Sequence, residues 1–184
     1  MSESKRQKWD PWVIGVICNG YNLDDIRYYD NEFRLIDKLF KENVKVIFIG
    51  ADGETLPSGT EYTKPVSVNH YFKHIHALKV DLLFIPLQPT EYNITSENHN
   101  KFTEAAMFGI PVMVLNQYPY NDVIKDKRNG FLYESRETFI TELKELLVEH
   151  LPHIKVCGSN AYETTTFRLS YNDENILQIL TALD

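Results

Sequence analysis

Four stretches of the chain, residues 12–18, 44–50, 81–87 and 111–115, are short, almost continuously apolar and rich in β-branched or aromatic side chains. A strand wetted on one side alternates apolar and polar residues, whereas a strand covered on both sides is apolar throughout. Runs of this length therefore predict buried strands of a parallel sheet. The segments between them have a different period. In 31–41, Phe33, Leu35, Ile36, Leu39 and Phe40 fall on one helical face with charges opposite. Residues 71–78 read as a short helix, and Ser96 is placed to cap another running to Phe108. Gly109 suits a helix C-terminus, with Pro111 two residues later.

Further along, 120–126 reads as a short helix and 130–133 as a small strand. Phe139, Ile140, Leu143, Leu146 and Leu147 mark a long amphipathic helix, and 160–183 holds one or two more helical segments. The polar stretch 51–64 reads as a loop, followed by a brief strand at 65–68. Strands and helices alternate at least five times. The fold class expected is α/β, a Rossmann-like, doubly wound parallel sheet that binds ligands at the carboxyl ends of its strands. Residues 1–10 are polar and read as a flexible arm, with Trp9 and Trp12 placed to pin it, and 11–184 form one domain.

Composition narrows the function. A net charge of −7 argues against a nucleic-acid partner, because phosphate backbones are held by clustered Lys and Arg. Any phosphate-bearing ligand must be held by local groups. Cys18 and Cys157 are the only cysteines, too few for a disulfide framework, and Cys18 reads as a small core residue. With no signal-peptide stretch and no run long enough to span a bilayer, the expected location is the cytoplasm. His74 and His76 are two apart and do not share a helical face, no Cys/His set has zinc spacing, and no glycine-rich dinucleotide or Walker loop is found. Neither a metal nor a cofactor is expected. Asn93-Ile94-Thr95 is formally a glycosylation sequon, of consequence only in a secretory lumen.

Chemistry is best sought between Pro86 and Leu115. Lys101 and Glu104 are three apart and share a helical face, with Glu97 one turn earlier. Phe102, Ala105 and Ala106 lie opposite, where they would pack on the sheet. Such a face offers a cation for a diphosphate and a carboxylate for paired ribose hydroxyls. The plainer alternative is a surface ion pair worth about a few tenths of a kcal/mol.

The stretch 81–87, then Asn93, then Asn100-Lys101-Phe102-Thr103-Glu104-Ala105-Ala106-Met107-Phe108-Gly109-Ile110-Pro111-Val112, resembles the C-terminal donor-binding domain of retaining GT-B glycosyltransferases of the group 1, family-four type. Those proteins show a strand ending in Pro-Leu, a Lys-x-x-Glu helix and then Gly-x-Pro-Val. Pro119-Tyr120, Val123-Ile124 and Asn129-Gly130-Phe131-Leu132 continue the resemblance, and Asn160-Ala161 is similar to the pair that opens the family's closing helix. It spans roughly residues 12 to 168.

The resemblance implies a single GT-B half-domain that binds a nucleotide-diphosphate sugar for retaining transfer. Glu104 takes the place of the ribose-binding glutamate, and Lys101 that of a group meeting the diphosphate or a sugar hydroxyl. Asn93, Ser96, Glu97 and Asn100 would line the diphosphate and sugar subsites. Asn19 and Gly20, after the first strand, would line the same crevice, and Val68, Asn69 and His70 would meet the base. Three departures stand out. Ser96 occupies the place where many relatives carry the first of two glutamates, with seven residues between it and Glu104. After the first strand there is no Arg/Lys pair, and Arg27 is the nearest cation. The chain has room for one Rossmann-like domain, so an N-terminal acceptor domain or a partner subunit is implied. The alternatives are a non-catalytic interaction module, using an apolar face around Ile176, Leu177 and Leu180, or half of a sugar-nucleotide epimerase.

Overall fold

The computed structural model describes residues 10–18, 22–51, 53, 56, 60–96, 98–149 and 152–166. Asn19, Gly20, Glu97 and the Ile176/Leu177/Leu180 face lie outside these residues, as does most of the arm at 1–10. Among them, strands β1 (Trp12–Ile17), β2 (Val44–Ile49), β3 (Glu61–Thr63), β4 (Leu82–Ile85), β5 (Val112–Leu115) and β6 (Phe131–Tyr133) form one sheet. Its order is β3-β2-β1-β4-β5-β6, and every pairing is parallel. The helices are α1 (Leu23–Tyr28), α2 (Asp30–Phe40), α3 (Val68–Leu78), α4 (Glu91–Ser96), α5 (Asn100–Ala106), α6 (Tyr120–Val123), α7 (Arg136–Glu149) and α8 (152–166).

All four residues of β4 and all four of β5 are buried. Side chains alternate between faces, so both faces of the sheet centre are covered. Phe84 faces the layer of α2 and α7: it stacks on Phe139 at 4.4 Å and meets Tyr29 edge-on at 5.3 Å and Phe33 at 5.7 Å. Its neighbour Leu83 faces the other layer, where it lines a cleft with Tyr71 and Ala105 of α3 and α5. Arg136 ties α7 to α2 through a bidentate pair with Glu32, at 2.8 and 2.9 Å, and lies over the Tyr28 ring. This is the doubly wound sheet that the apolar runs predict.

Three local expectations are corrected. The strand expected at 65–68 forms earlier, at Glu61–Thr63, and Val68 begins α3. As an edge strand, β3 leaves Glu61 and Tyr62 exposed, so it carries no apolar run, and Lys45 of β2 pairs with Glu61 across it. The helix expected from Ser96 to Phe108 is two helices: Ser96 ends α4, and α5 starts at Asn100. Ser96 is therefore a last residue and no cap. The closing helix does not open at Asn160 but runs over 152–166, where Asn160 donates from Nδ2 to the Arg128 carbonyl at 2.8 Å.

A hydrogen-bond chain crosses the core. Tyr133 donates its hydroxyl to Tyr29 Oη at 2.7 Å, and Tyr29 donates to the Leu87 carbonyl at 3.2 Å. Burial pushes both phenols above the ordinary tyrosine range. The fold holds the neutral forms, whereas unfolded tyrosines ionise near about pH 10. Their contribution to stability is therefore fully kept below about pH 10 and is lost as pH climbs from there through the folded-state values. Urea midpoints are expected to be level from pH 7 to about 8, to fall gently from there as the two buried cysteines contribute, and to fall more steeply above about 10, with a shallower fall above about 10 in Tyr29→Phe. Equal slopes in both proteins would refute this origin.

Candidate functional site at the carboxyl ends of the strands

The strand order reverses direction beside β1, which pairs with β2 on one side and β4 on the other. In open parallel sheets the loops diverge at such a point and leave a crevice at the carboxyl ends. Among the described residues, this point is framed by the β4–α4 loop and the first turns of α3 and α5.

The floor beside β4 is a fixed polar network. Asn22 donates from Nδ2 to the Ile17 carbonyl at 2.9 Å. Asp25 of α1, only 8% exposed, accepts at Oδ1 from the Gln88 N–H at 2.9 Å and from Asn93 Nδ2 at 2.8 Å. Asn93, 5% exposed, also donates to the Gln88 carbonyl at 3.0 Å. Gln88 in turn donates to the Asp24 carbonyl, and Gln117 donates to that of Gln88. A buried carboxylate is tolerated only with such donors. Asn93 is thus a strut of this loop, and burial of its amide closes the 93–95 sequon in the folded chain.

Across the crevice, α3 and α5 face each other. Tyr71 donates its hydroxyl to Glu104 Oε2 at 3.0 Å, and both groups are half-buried. They roof an apolar cleft that includes Ile17 and Ile49, the last residues of β1 and β2. Glu104 therefore shares this cleft with the carboxyl-terminal residues of β1 and β2. Burial first, then the charge of Glu104, pushes the Tyr71 phenol above its ordinary range, so it is a hydrogen-bond donor at neutral pH. Lys101 is half-buried on α5, one turn before Glu104. With seven residues, α5 is two turns long.

The remaining expected positions are scattered around this pair. Asn100 is exposed at the start of α5, its N–H bonded to Asn98 Oδ1 at 3.0 Å. Val68 opens α3, and His70 is exposed there with Nδ1 2.8 Å from Ser67 Oγ. His74 pairs with Thr63 Oγ1 at 2.9 Å, a tie between α3 and β3 rather than half of a metal pair. Sequence reasoning missed Tyr71 and Asp25. No local pattern marks either, because their partners lie 33 and 63 or more residues away.

Both thiols are inert. Burial pushes Cys18 up to about 12 and Cys157 to about 11. Among the described residues, no three His, Cys, Asp or Glu side chains are grouped to hold a metal ion, and no helix is long and apolar enough to cross a membrane. A groove of about 540 Å³ lies elsewhere, between α2 and the β2–β3 edge, lined by Phe33, Ile36, Lys45 and Glu61. It opens near the amino ends of the strands, beside Pro11 and Val44, away from the convergence of loops, and in its lining Lys45 pairs with Glu61 and Arg34 with Asp30.

No protein-family model matches the sequence, and no curated protein matches it. Solved structures do. The C-terminal domain of a group 1 glycosyltransferase, LpcC from Francisella tularensis, superposes with a TM-score of 0.61 at 15% identity, over 91% of this chain and 94% of that domain. TarM of S. aureus matches at 0.69 and 16%, over 99% of this chain and 36% of its own. Anabaena HepE, solved with UDP and glucose, matches at 0.64 and 16%, over 94% and 48%. A UDP-N-acetylglucosamine 2-epimerase from Listeria monocytogenes, described as putative, matches at 0.56 and 14%, over 96% and 50%. The chain thus spans nearly all of the isolated LpcC domain but half or less of the longer structures. Strand order, all-parallel pairing and these superpositions agree: the chain has the fold of the C-terminal half-domain of GT-B glycosyltransferases.

Proposed function

We propose that this chain is the donor-binding half of a glycosyltransferase, holding a nucleoside-diphosphate sugar above β1 and β2. One observation carries the reading: Glu104, a half-buried carboxylate, is held by Tyr71 in a cleft that contains the last residues of β1 and β2. A carboxylate so placed accepts the paired hydroxyls of a ribose. Lys101, one turn away, supplies a cation to the diphosphate. In the retaining transfer envisaged, the bond from the sugar anomeric carbon to the diphosphate oxygen breaks, and an acceptor hydroxyl oxygen bonds to that carbon on the same face while its proton passes to the departing diphosphate. Lys101 stabilises the charge growing on the departing diphosphate. The acceptor is held by a second Rossmann-like domain or a partner subunit, as the size of the longer neighbours suggests.

A second reading, a non-catalytic module, draws on Asp25. Its carboxylate lies at the β1–β4 switch point, where a diphosphate would need positive charge. Arg27, the nearest cation on α1, already pairs with Asp24 at 3.2 Å. The two readings differ in what the phosphates contribute. Calorimetry with UDP, GDP and dTDP beside uridine and guanosine separates them. A donor site binds one diphosphate about tenfold or more tighter than its nucleoside. Equal binding supports the module, and no binding of any diphosphate at millimolar concentration sinks the donor reading. An epimerase half is distinguished by turnover of UDP-N-acetylglucosamine without any acceptor.

A further inference from the structure

We propose that Tyr71 is a positioning residue that fixes the Glu104 carboxylate, and that this pair makes the site select ribonucleotides over 2′-deoxyribonucleotides. The inference rests on the donor-site reading above and adds to it a residue and a substrate preference.

A glutamate side chain has three rotatable torsions, and holding it in one place costs conformational entropy. On a two-turn helix such as α5, nothing in the local backbone fixes it. The fixed point comes from α3. Tyr71 reaches across to Oε2 at 3.0 Å, a hydrogen bond to a charged acceptor and therefore short and strong for its kind. Tyr71 is itself held: its ring meets Phe72 at 5.6 Å, and Phe72 meets Phe108 at 5.7 Å, which ties α3 to the turn that follows α5. Ile75, one turn on along α3, is buried. The phenol therefore has little freedom, and passes that restraint to the carboxylate.

An ionised carboxylate has about four acceptor positions, and Tyr71 occupies one on Oε2. Among the described residues, nothing else is bonded to Oε1 or to the second lone pair of Oε2, and these are left for a ligand. Vicinal 2′ and 3′ hydroxyls fit such a pair of oxygens only when the plane of the carboxylate is set. A 2′-deoxyribose satisfies one oxygen and leaves the other without a donor, a loss that a site built for two hydroxyls registers as discrimination. When the carboxylate rotates freely, it follows the single hydroxyl and the preference shrinks. Tyr71 does not touch the nucleotide in this arrangement; it acts through Glu104.

The test is calorimetry of the full chain with UDP and 2′-deoxy-UDP at pH 7, for wild type, Tyr71→Phe, Glu104→Gln and the double variant. Wild type is expected to prefer UDP by about tenfold or more, and Tyr71→Phe to lower that ratio about threefold or more, mainly by weakening UDP. The double variant is expected to match Glu104→Gln, since two groups acting as one unit are not additive. If Tyr71→Phe weakens both nucleotides equally, or leaves the ratio unchanged, the positioning role is overturned while the donor site stands. Wild type that binds neither nucleotide overturns both. A ligand-free measurement guards against a misfolded variant: the Tyr71 phenol, followed by carbon-13 tyrosine NMR, is expected to titrate at lower pH in Glu104→Gln than in wild type. An unmoved titration overturns the pairing on which the proposal stands.

Discussion

Replacing Glu104 by Ala is expected to raise the dissociation constant for UDP by on the order of a hundredfold, with the melting temperature changed by only a few degrees. The size follows from the hydrogen bonds lost. Each bond to a charged acceptor contributes about 1.5–3 kcal/mol, and a tenfold change in affinity is about 1.4 kcal/mol. Two ribose hydroxyls give more than this, but the bound ribose regains part of it from water. Glu104→Gln keeps the shape and one good acceptor, so about a tenfold loss is expected. The stability effect is small because Glu104 is half-buried and its partner among the described residues is a phenol whose ring meets Phe72. Calorimetry with UDP and a thermal melt on the same samples decide the matter. A melting temperature that collapses with affinity would make Glu104 a structural brace, and unchanged affinity would remove it from the site.

The sheet was legible because burial on both faces writes itself into every residue of a strand. Residues 44–50 and 81–87 need no partner to be recognised. β3 was not, since Glu61, Tyr62 and Thr63 lie at an edge where neither face is fully covered and no apolar run is required. The α4–α5 break was hidden for a different reason. Residues 96–108 contain no proline or glycine to interrupt a helix, and between the two helices Asn98 Oδ1 accepts from the Asn100 N–H. At the site, the Lys101/Glu104 face could be read from a spacing of three. What holds Glu104 could not, because the Tyr71 contact arises only when α3 and α5 are laid side by side on the sheet. Asp25 shows the same limit: its sequence neighbourhood is that of a solvated acidic helix start, yet tertiary structure buries it beneath the β4–α4 loop.

Gly158→Ala is expected to destabilise the domain by about 3 kcal/mol, at the upper end of ordinary overpacking. Gly158 lies within α8, where it meets the turn that ends α5. A methyl group there would stand 1.9 Å from the Gly109 carbonyl oxygen, 2.9 Å from its carbon and 3.1 Å from Pro111 Cδ. None of these belongs to a side chain that can rotate away, so the helix itself must shift. It is poorly free to do so: Ile154, Cys157 and Ala161 are buried on the same helix, and Asn160 is bonded to the Arg128 carbonyl. Gly109→Ala is the matched control. Its φ of +65° costs an L residue about 1 kcal/mol, but its added carbon would lie 3.9 Å from Gly158, an ordinary contact. Gly158→Ala should therefore lower the melting temperature about three times as far as Gly109→Ala, roughly 6–12 °C for a domain of this size. Equal shifts would mean that α8 yields at no cost. The same substitution reaches the site, because the turn it displaces ends the helix that carries Lys101 and Glu104. A tilt of α5 lengthens the Tyr71–Glu104 bond, so UDP affinity should fall in the folded fraction of Gly158→Ala and hold in Gly109→Ala.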